Sequence, residues 1–161
     1  MSSSLHDDPV ARRPQRSTSI GLLILRLGLG GYLLTHGWGK LQMVLAGAYD
    51  QFGDPIGLGS VASLLLVTFA ELVCSFLVMI GLATRFAAVP VVVVMAVAAA
   101  VAHAGDPWTM AGGYELFVSG ASESWASKEP ALMFLVGFLA LAFTGAGRYS
   151  LDGWIAGRRR G

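Results

Sequence analysis

The chain has 161 residues and a formal net charge of +1, with 55% hydrophobic and 13% charged residues. Soluble domains carry about 25% charged residues, so this deficit, with a mean hydropathy of +0.65, excludes an ordinary soluble domain and points to a bilayer. The basic residues sit at the ends of apolar runs, which excludes a nucleic-acid surface, and the single cysteine, Cys74, excludes an internal disulfide or a CxxC redox motif.

Residues 1–18 are polar and read as an N-terminal tail. Crossing the hydrocarbon core takes roughly 20 mainly apolar residues, and the composition predicts four such helices. The first covers about residues 20–46 and contains "LRLGLGGYLLTHGWGKL", Leu25 to Leu41. It is too long for the apolar core of a signal peptide and is interrupted by Arg26, so the "AGA" at 46–48 is not read as a cleavage site. The second, about 60–82, carries Glu71 near its centre. The third, about 86–103, has Pro90 near its start and His103 at its end; the fourth, about 129–147, opens on Glu129.

The connection 104–128 is long and holds Trp108, Tyr114, Phe117 and Trp125. Length and aromatic content predict local structure or an interfacial segment there. Arg12, Arg13, Arg16, Arg85, Arg148, Arg158, Arg159 and Arg160 fall on one side of a four-span chain, and only Lys40 and Lys128 lie near the other. Positive residues mark the cytoplasmic face, so both termini are expected there. The fold class is therefore an all-α membrane protein, a four-transmembrane-helix bundle with both termini cytoplasmic.

A helix turns about 100° per residue. Arg26, His36 and Lys40 then share one face with Gly30, Leu33 and Gly37, and Ser60, Thr68 and Ser75 lie on the Glu71 face of the second helix. Ionisable groups within a membrane turn inward and pair. Helix rise places His36, Lys40, His103 and Glu129 near one level towards the outer leaflet, with Glu71 deeper. Arg26–Glu71 and Lys40–Glu129 are the expected pairs.

The plainer alternatives are that Arg26 and Lys40 reach lipid phosphate or water, that His103 and Glu129 are wet loop ends, and that Glu129 answers a helix dipole. Cys74 reads as packing and Trp38 as an interfacial anchor. His36, His103, Glu71 and Glu129 lack local metal-ligand spacing, so no metal is expected. No nucleophile or phosphate-loop motif is present.

The series "LRLGLGGYLLTHGWGKL", "FAELVCSFLVMIGLATRFAA", "VAHAG" and "KEPALMFLVGFLALAFTGAGRYSLDGW" resembles the DoxX family over about residues 20–154. On that resemblance, residues 19–154 form a four-helix membrane domain and 155–161 a basic cytoplasmic tail. The family pattern points to Arg26, His36, Gly37 and Lys40, then Glu71, Gly81 and Arg85, then His103 and Glu129. It closes on Gly145, Gly147, Ser150, Leu151 and Asp152.

The resemblance implies a multi-pass inner-membrane protein acting with a membrane oxidoreductase system, linked to quinone, sulfur or thiol chemistry and oxidative stress, with soluble oxidoreductase partners. Ligand binding is expected at Arg26, His36, Lys40, Glu71, His103 and Glu129, and any chemistry at Glu71, His36 or Glu129. Quinone is the cofactor to consider. The competing readings are a non-enzymatic anchor or assembly factor for soluble redox proteins, and a small-molecule carrier.

Overall fold

The computed structural model describes residues 13–158, with side chains from Arg16 onward. The expected tails therefore lie mostly outside the described residues, at 1–12 and 159–161. Helix α1 (Arg13–Leu45) begins earlier than the apolar pattern indicates. A short 3₁₀ turn, Tyr49–Gln51, follows. The second long helix is continuous but changes pitch, with α2 (Ser60–Thr68), a π segment (Phe69–Cys74) and α3 (Ser75–Ile80). Helix α4 (Thr84–Val97) runs into a second π segment, Ala98–Ala102. Pro90 falls inside α4 rather than in its first turn, because the helix starts at Thr84. Helices α5 (Met110–Val118), α6 (Glu129–Thr144) and α7 (Leu151–Arg158) complete the chain.

Arg16–Leu45, Ser60–Ile80 and Thr84–Ala102 are long and apolar enough to cross a membrane. Large apolar side chains such as Ile24, Phe86 and Phe143 point outward from the bundle, as lipid allows. The chain is thus a multi-pass membrane protein associated with the bilayer. Helix α6 has 16 residues, about 24 Å of rise, which is shorter than the roughly 30 Å hydrocarbon core. It packs along α4 and also touches α1, so the helices form a bundle.

Association within lipid relies on close packing through small residues, and this bundle follows that rule. Ala70, Ala87, Ala88, Ala99 and Ala131 are buried in its core beside Phe138 and Leu141. Helices α1 and α3 meet where Gly30 lies against Ser75 and Met79. Closest of all is Gly37, where an added Cβ would sit 2.8 Å from the backbone of Glu71 and Leu72. These contacts fix the antiparallel register, with residue 37 level with 71–72 and residue 30 level with 75–79.

That register explains Arg26. It is 0% exposed and lies level with the end of α3. Its Nη1 donates to the carbonyls of Met79 (3.2 Å) and Val78 (3.4 Å), and its Nη2 to the carbonyl of Tyr149. A cation at a helix C-terminus meets the open carbonyls and the negative end of the dipole. Gly81, at φ 74, turns the chain out of α3, and a side chain there would run into the Arg26 guanidinium.

Asp152, in the first turn of α7, binds the other side of the same turn. Its carboxylate accepts from the backbone N–H groups of Ala83 (2.8 Å) and Thr84 (3.0 Å), and its own N–H donates to the Gly81 carbonyl (2.8 Å). Arg26 and Asp152 together lock α1, the α3–α4 turn and α7 at one end of the bundle.

Replacing Gly37 with Leu should lower stability by about 1–3 kcal/mol through overpacking. Gly39→Leu, where nothing lies within 4 Å of a new Cβ, should leave it unchanged. Thermal unfolding of both variants in detergent micelles would check this.

Candidate ligand cavity

Helices α1, α2, α4 and α6 do not close completely at the end of the bundle opposite the Arg26 clamp. They leave a cavity of about 740 Å³. Its walls are mainly apolar, and His36, Lys40, Glu71 and His103 line it. Both π segments border it, through Phe69–Glu71 on one side and Ala98 and Ala102 on the other. A π turn adds a residue to the helix and shifts the side chains around it, and such turns are frequent at functional sites.

The central polar contact is Lys40 Nζ to Glu71 Oε2, at 2.6 Å. The Glu71 side chain is only 5% exposed and that of Lys40 23%. This corrects both expected pairings. At 1.5 Å per residue, Arg26 lies about 16 Å from the Glu71 level in the observed register, beyond a guanidinium's reach. Lys40 is one turn past Gly37, and helical side chains lean towards the N-terminus of their helix. That direction carries the ammonium back to Glu71.

Glu129 accepts instead from the Met110 backbone N–H at 2.7 Å, tying the start of α6 to the start of α5. Thr68 and Ser75 are buried as their shared face predicts. Their hydroxyls donate to backbone carbonyls of their own segment, Leu64 and Ala70.

His36 is open on one side and meets the Phe134 ring edge-on, with centroids 6.1 Å apart. His103 is held by Asp106, Nδ1 to Oδ2 at 2.6 Å. Of the six residues expected to bind a ligand, His36, Lys40, Glu71 and His103 are therefore brought to one cavity. Arg26 and Glu129 are used elsewhere. Cys74 is buried in the packed core. Among the described residues no three His, Cys, Asp or Glu side chains gather as a metal site.

The sequence reading missed Phe52, Pro55, Ile56 and Leu58, which wall the loop end of the cavity. Their arrangement depends on Asp54. Its Oδ2 accepts from Gly59 N–H (2.8 Å), and its Oδ1 from Leu58 N–H (2.9 Å) and Ser63 Oγ (3.0 Å). An aspartate followed by a glycine-rich turn and a helix start is the available signal. The Gly59 N–H, helped by Ser63 and Leu58, holds the Asp54 carboxyl below its ordinary value.

The long connection 104–128 is folded as well. Lys128 donates to the Ala104 carbonyl at 2.8 Å and lies 5.1 Å from the Trp108 ring centre. Trp125 donates to the Met110 carbonyl at 2.9 Å and stands 5.2 Å from the Tyr114 ring.

Compared with known protein families, the chain matches the family model described as DoxX over residues 21–104. No curated protein and no solved structure matches the chain.

Two predictions arise from these contacts. Removing one partner of a buried ion pair costs about 3–5 kcal/mol, whereas removing both can be nearly neutral. Lys40→Met should therefore destabilise strongly and Lys40→Met with Glu71→Leu should recover most of the loss, as measured by thermal unfolding in detergent. The Asp54 carboxyl is depressed in the folded chain, so its contribution is present above the ordinary aspartate value and is lost as pH falls through the depressed one. Amide protection at Leu58 and Gly59 should persist through the ordinary aspartate range and drop only at more acidic pH. In Asp54→Asn that protection should be weak at every pH and lose this acid-dependent step.

Proposed function

The chain belongs to the DoxX family, and we propose that it serves a membrane oxidoreductase system by binding a quinone in the cavity around Lys40 and Glu71. The observation that carries this reading is an apolar cavity, set among membrane helices, into which a few polar groups converge. Ligand sites have that character and lie in the range of about 300–1,000 Å³. In this reading the chain sits in the inner membrane and crosses it four times, with α6 as the short fourth span and the Arg26 clamp on the cytoplasmic side.

The residues present suit a quinone. Lys40 and His36 offer N–H donors to a carbonyl oxygen, and Leu33, Phe134 and the valines of α4 offer apolar surface to the ring. A bound quinone supplies two-electron, two-proton redox chemistry. The chain's own groups hold and orient it, exclude water and keep a proton donor near its oxygens. Glu71 holds Lys40 in place and is the nearest buried carboxylate for proton exchange. His103, anchored by Asp106, is the second imidazole at the rim. The oxidant or reductant for such a quinone would be an oxidoreductase partner, soluble or membrane-bound.

An anchoring role for soluble redox proteins is the second reading. The folded connection supports it, because Trp108, Tyr114, Phe117 and Trp125 are displayed there beyond the helical bundle.

Titrating the reconstituted protein with a short-tailed quinone distinguishes the two. Binding should saturate, and His36→Ala and Glu71→Gln should each weaken it by about tenfold, the scale of one lost buried hydrogen bond to a charged or polar partner. Absence of saturable binding, or identical binding by both variants, would overturn the quinone reading.

A further inference from the structure

The cavity has a side as well as an end. Leu66, Phe69, Val89 and Val93 line it from within. The same four residues are 52%, 50%, 52% and 56% exposed on the outside of the bundle. They stand on either side of one gap, between the second long helix and α4. Below the gap, the first π segment and α3 pack against α4, whereas α2 above them makes at most marginal contact with it. The two helices therefore meet near the Arg26 clamp and part beyond it.

At 1.5 Å per residue, Val93 is about 14 Å from the start of α4 and Leu66 about 21 Å from the end of α3. Both lie within a hydrocarbon slab roughly 30 Å thick. The gap thus faces acyl chains rather than water.

The electrostatics of the interior select what enters. Lys40 and Glu71 cancel each other across 2.6 Å, which leaves no net charge in the pair to offset an ionic headgroup, and burying an uncompensated charge is costly. Hydrogen-bonding groups remain available beside apolar walls. We propose that the gap between α2 and α4 is a lateral portal, through which the cavity takes a neutral-headed amphiphile directly from the bilayer. The polar head lies at Lys40, Glu71 and His36, and the tail stays in the portal between Leu66 and Val93. This deepens the quinone reading by naming the ligand class and its route, and rests on the same cavity, but it does not require the ligand to be redox-active.

The test uses full-length protein in phosphatidylcholine vesicles containing a long-chain fatty alcohol with a diazirine near its hydroxyl end. After irradiation, labelled residues are identified by fragmentation mass spectrometry. Label is expected at Phe134 and Ala98 within the cavity, as well as at outward-facing Phe143, which serves as the lipid-contact control. Val93→Trp and Leu66→Trp, each adding apolar bulk at a site already half in lipid, should cut the interior label by about tenfold, the scale on which apolar pockets discriminate by size. Label at Phe143 should not change. Ile24→Trp, on an outward face of α1 that does not line the cavity, should leave both labels unchanged.

A phosphatidylcholine carrying the diazirine in its headgroup should mark Phe134 and Ala98 far less than the alcohol does. An unlabelled long-tailed quinone should compete with the alcohol for the interior label. If the tryptophan plugs abolish that label but quinone does not compete, the portal stands and the quinone reading falls. If the interior is never labelled, or is labelled equally in the plugged variants, or is lost equally with Ile24→Trp, the portal is overturned whatever binds. Equal marking by the two probes overturns the selection for a neutral head.

Discussion

No charge can be left alone inside a bundle surrounded by lipid, and the architecture of this protein is organised by two ways of meeting that constraint. Arg26 meets it with backbone, spending its guanidinium on the carbonyls that end α3 and on Tyr149. Lys40 meets it with a carboxylate. The first solution has nowhere to move, because the cation is enclosed on every side. The second keeps one partner partly accessible and borders a cavity. The two cations lie on one face of one helix, separated by little more than the height of a few turns. The difference between an enclosed cation and one that lines a cavity comes from what the neighbouring helix presents at each level.

The neighbouring helix is placed by glycine. Gly37 sets its backbone against Glu71 and Leu72, and Gly30 lies against Ser75 and Met79. A sequence alone shows that Arg26, His36 and Lys40 share a face with these glycines, and that Glu71 lies mid-helix opposite. Those placements are legible because helical periodicity is local. The offset between two antiparallel helices is not local. It is decided by which small residue meets which backbone segment, and estimating it from the centres of apolar runs brings Arg26 several ångströms too near Glu71. The partner of each cation therefore differs from the one its sequence position suggests, although both cations turn inward.

Other parts were legible to different degrees for similar reasons. Runs of apolar residues define the helical segments to within a few positions, since burial in lipid demands continuous apolar surface. Polarity gave a later start for α1 than the structure does, because a helix can continue past the membrane boundary into polar sequence. The two π segments left no pattern in "FAELVC" or "AAAVA", both of which are ordinary helical sequence. The first packs against Gly37 and the second against α6. The expected grouping of His36, Lys40 and His103 brings out part of the cavity lining. Glu129 left that group because the loop before α6 folds, and the Met110 N–H at the start of α5 takes its carboxylate. Residues 52–58 carry no charged or reactive side chain other than Asp54, so nothing in their chemistry marks them as cavity wall.

The two ends of the bundle divide the work between them. At one end Arg26 and Asp152 hold α1, the α3–α4 turn and α7 in a single hydrogen-bonded knot, and the helices there are forced together. A left-handed Ala83, at φ 49, is held in that knot by the Asp152 carboxylate. Helices fixed at one end and inclined to one another must separate at the other unless large side chains fill the widening space. Here the side chains that border the space beyond Gly37, with Ala98, Ala102, Ala131 and several valines among them, leave it unfilled. The ion pair stands where the packed region gives way to the open one. A rigid base with small residues above it makes the cavity a consequence of the packing, and the hydrogen-bonded knot at the other end lies apart from it.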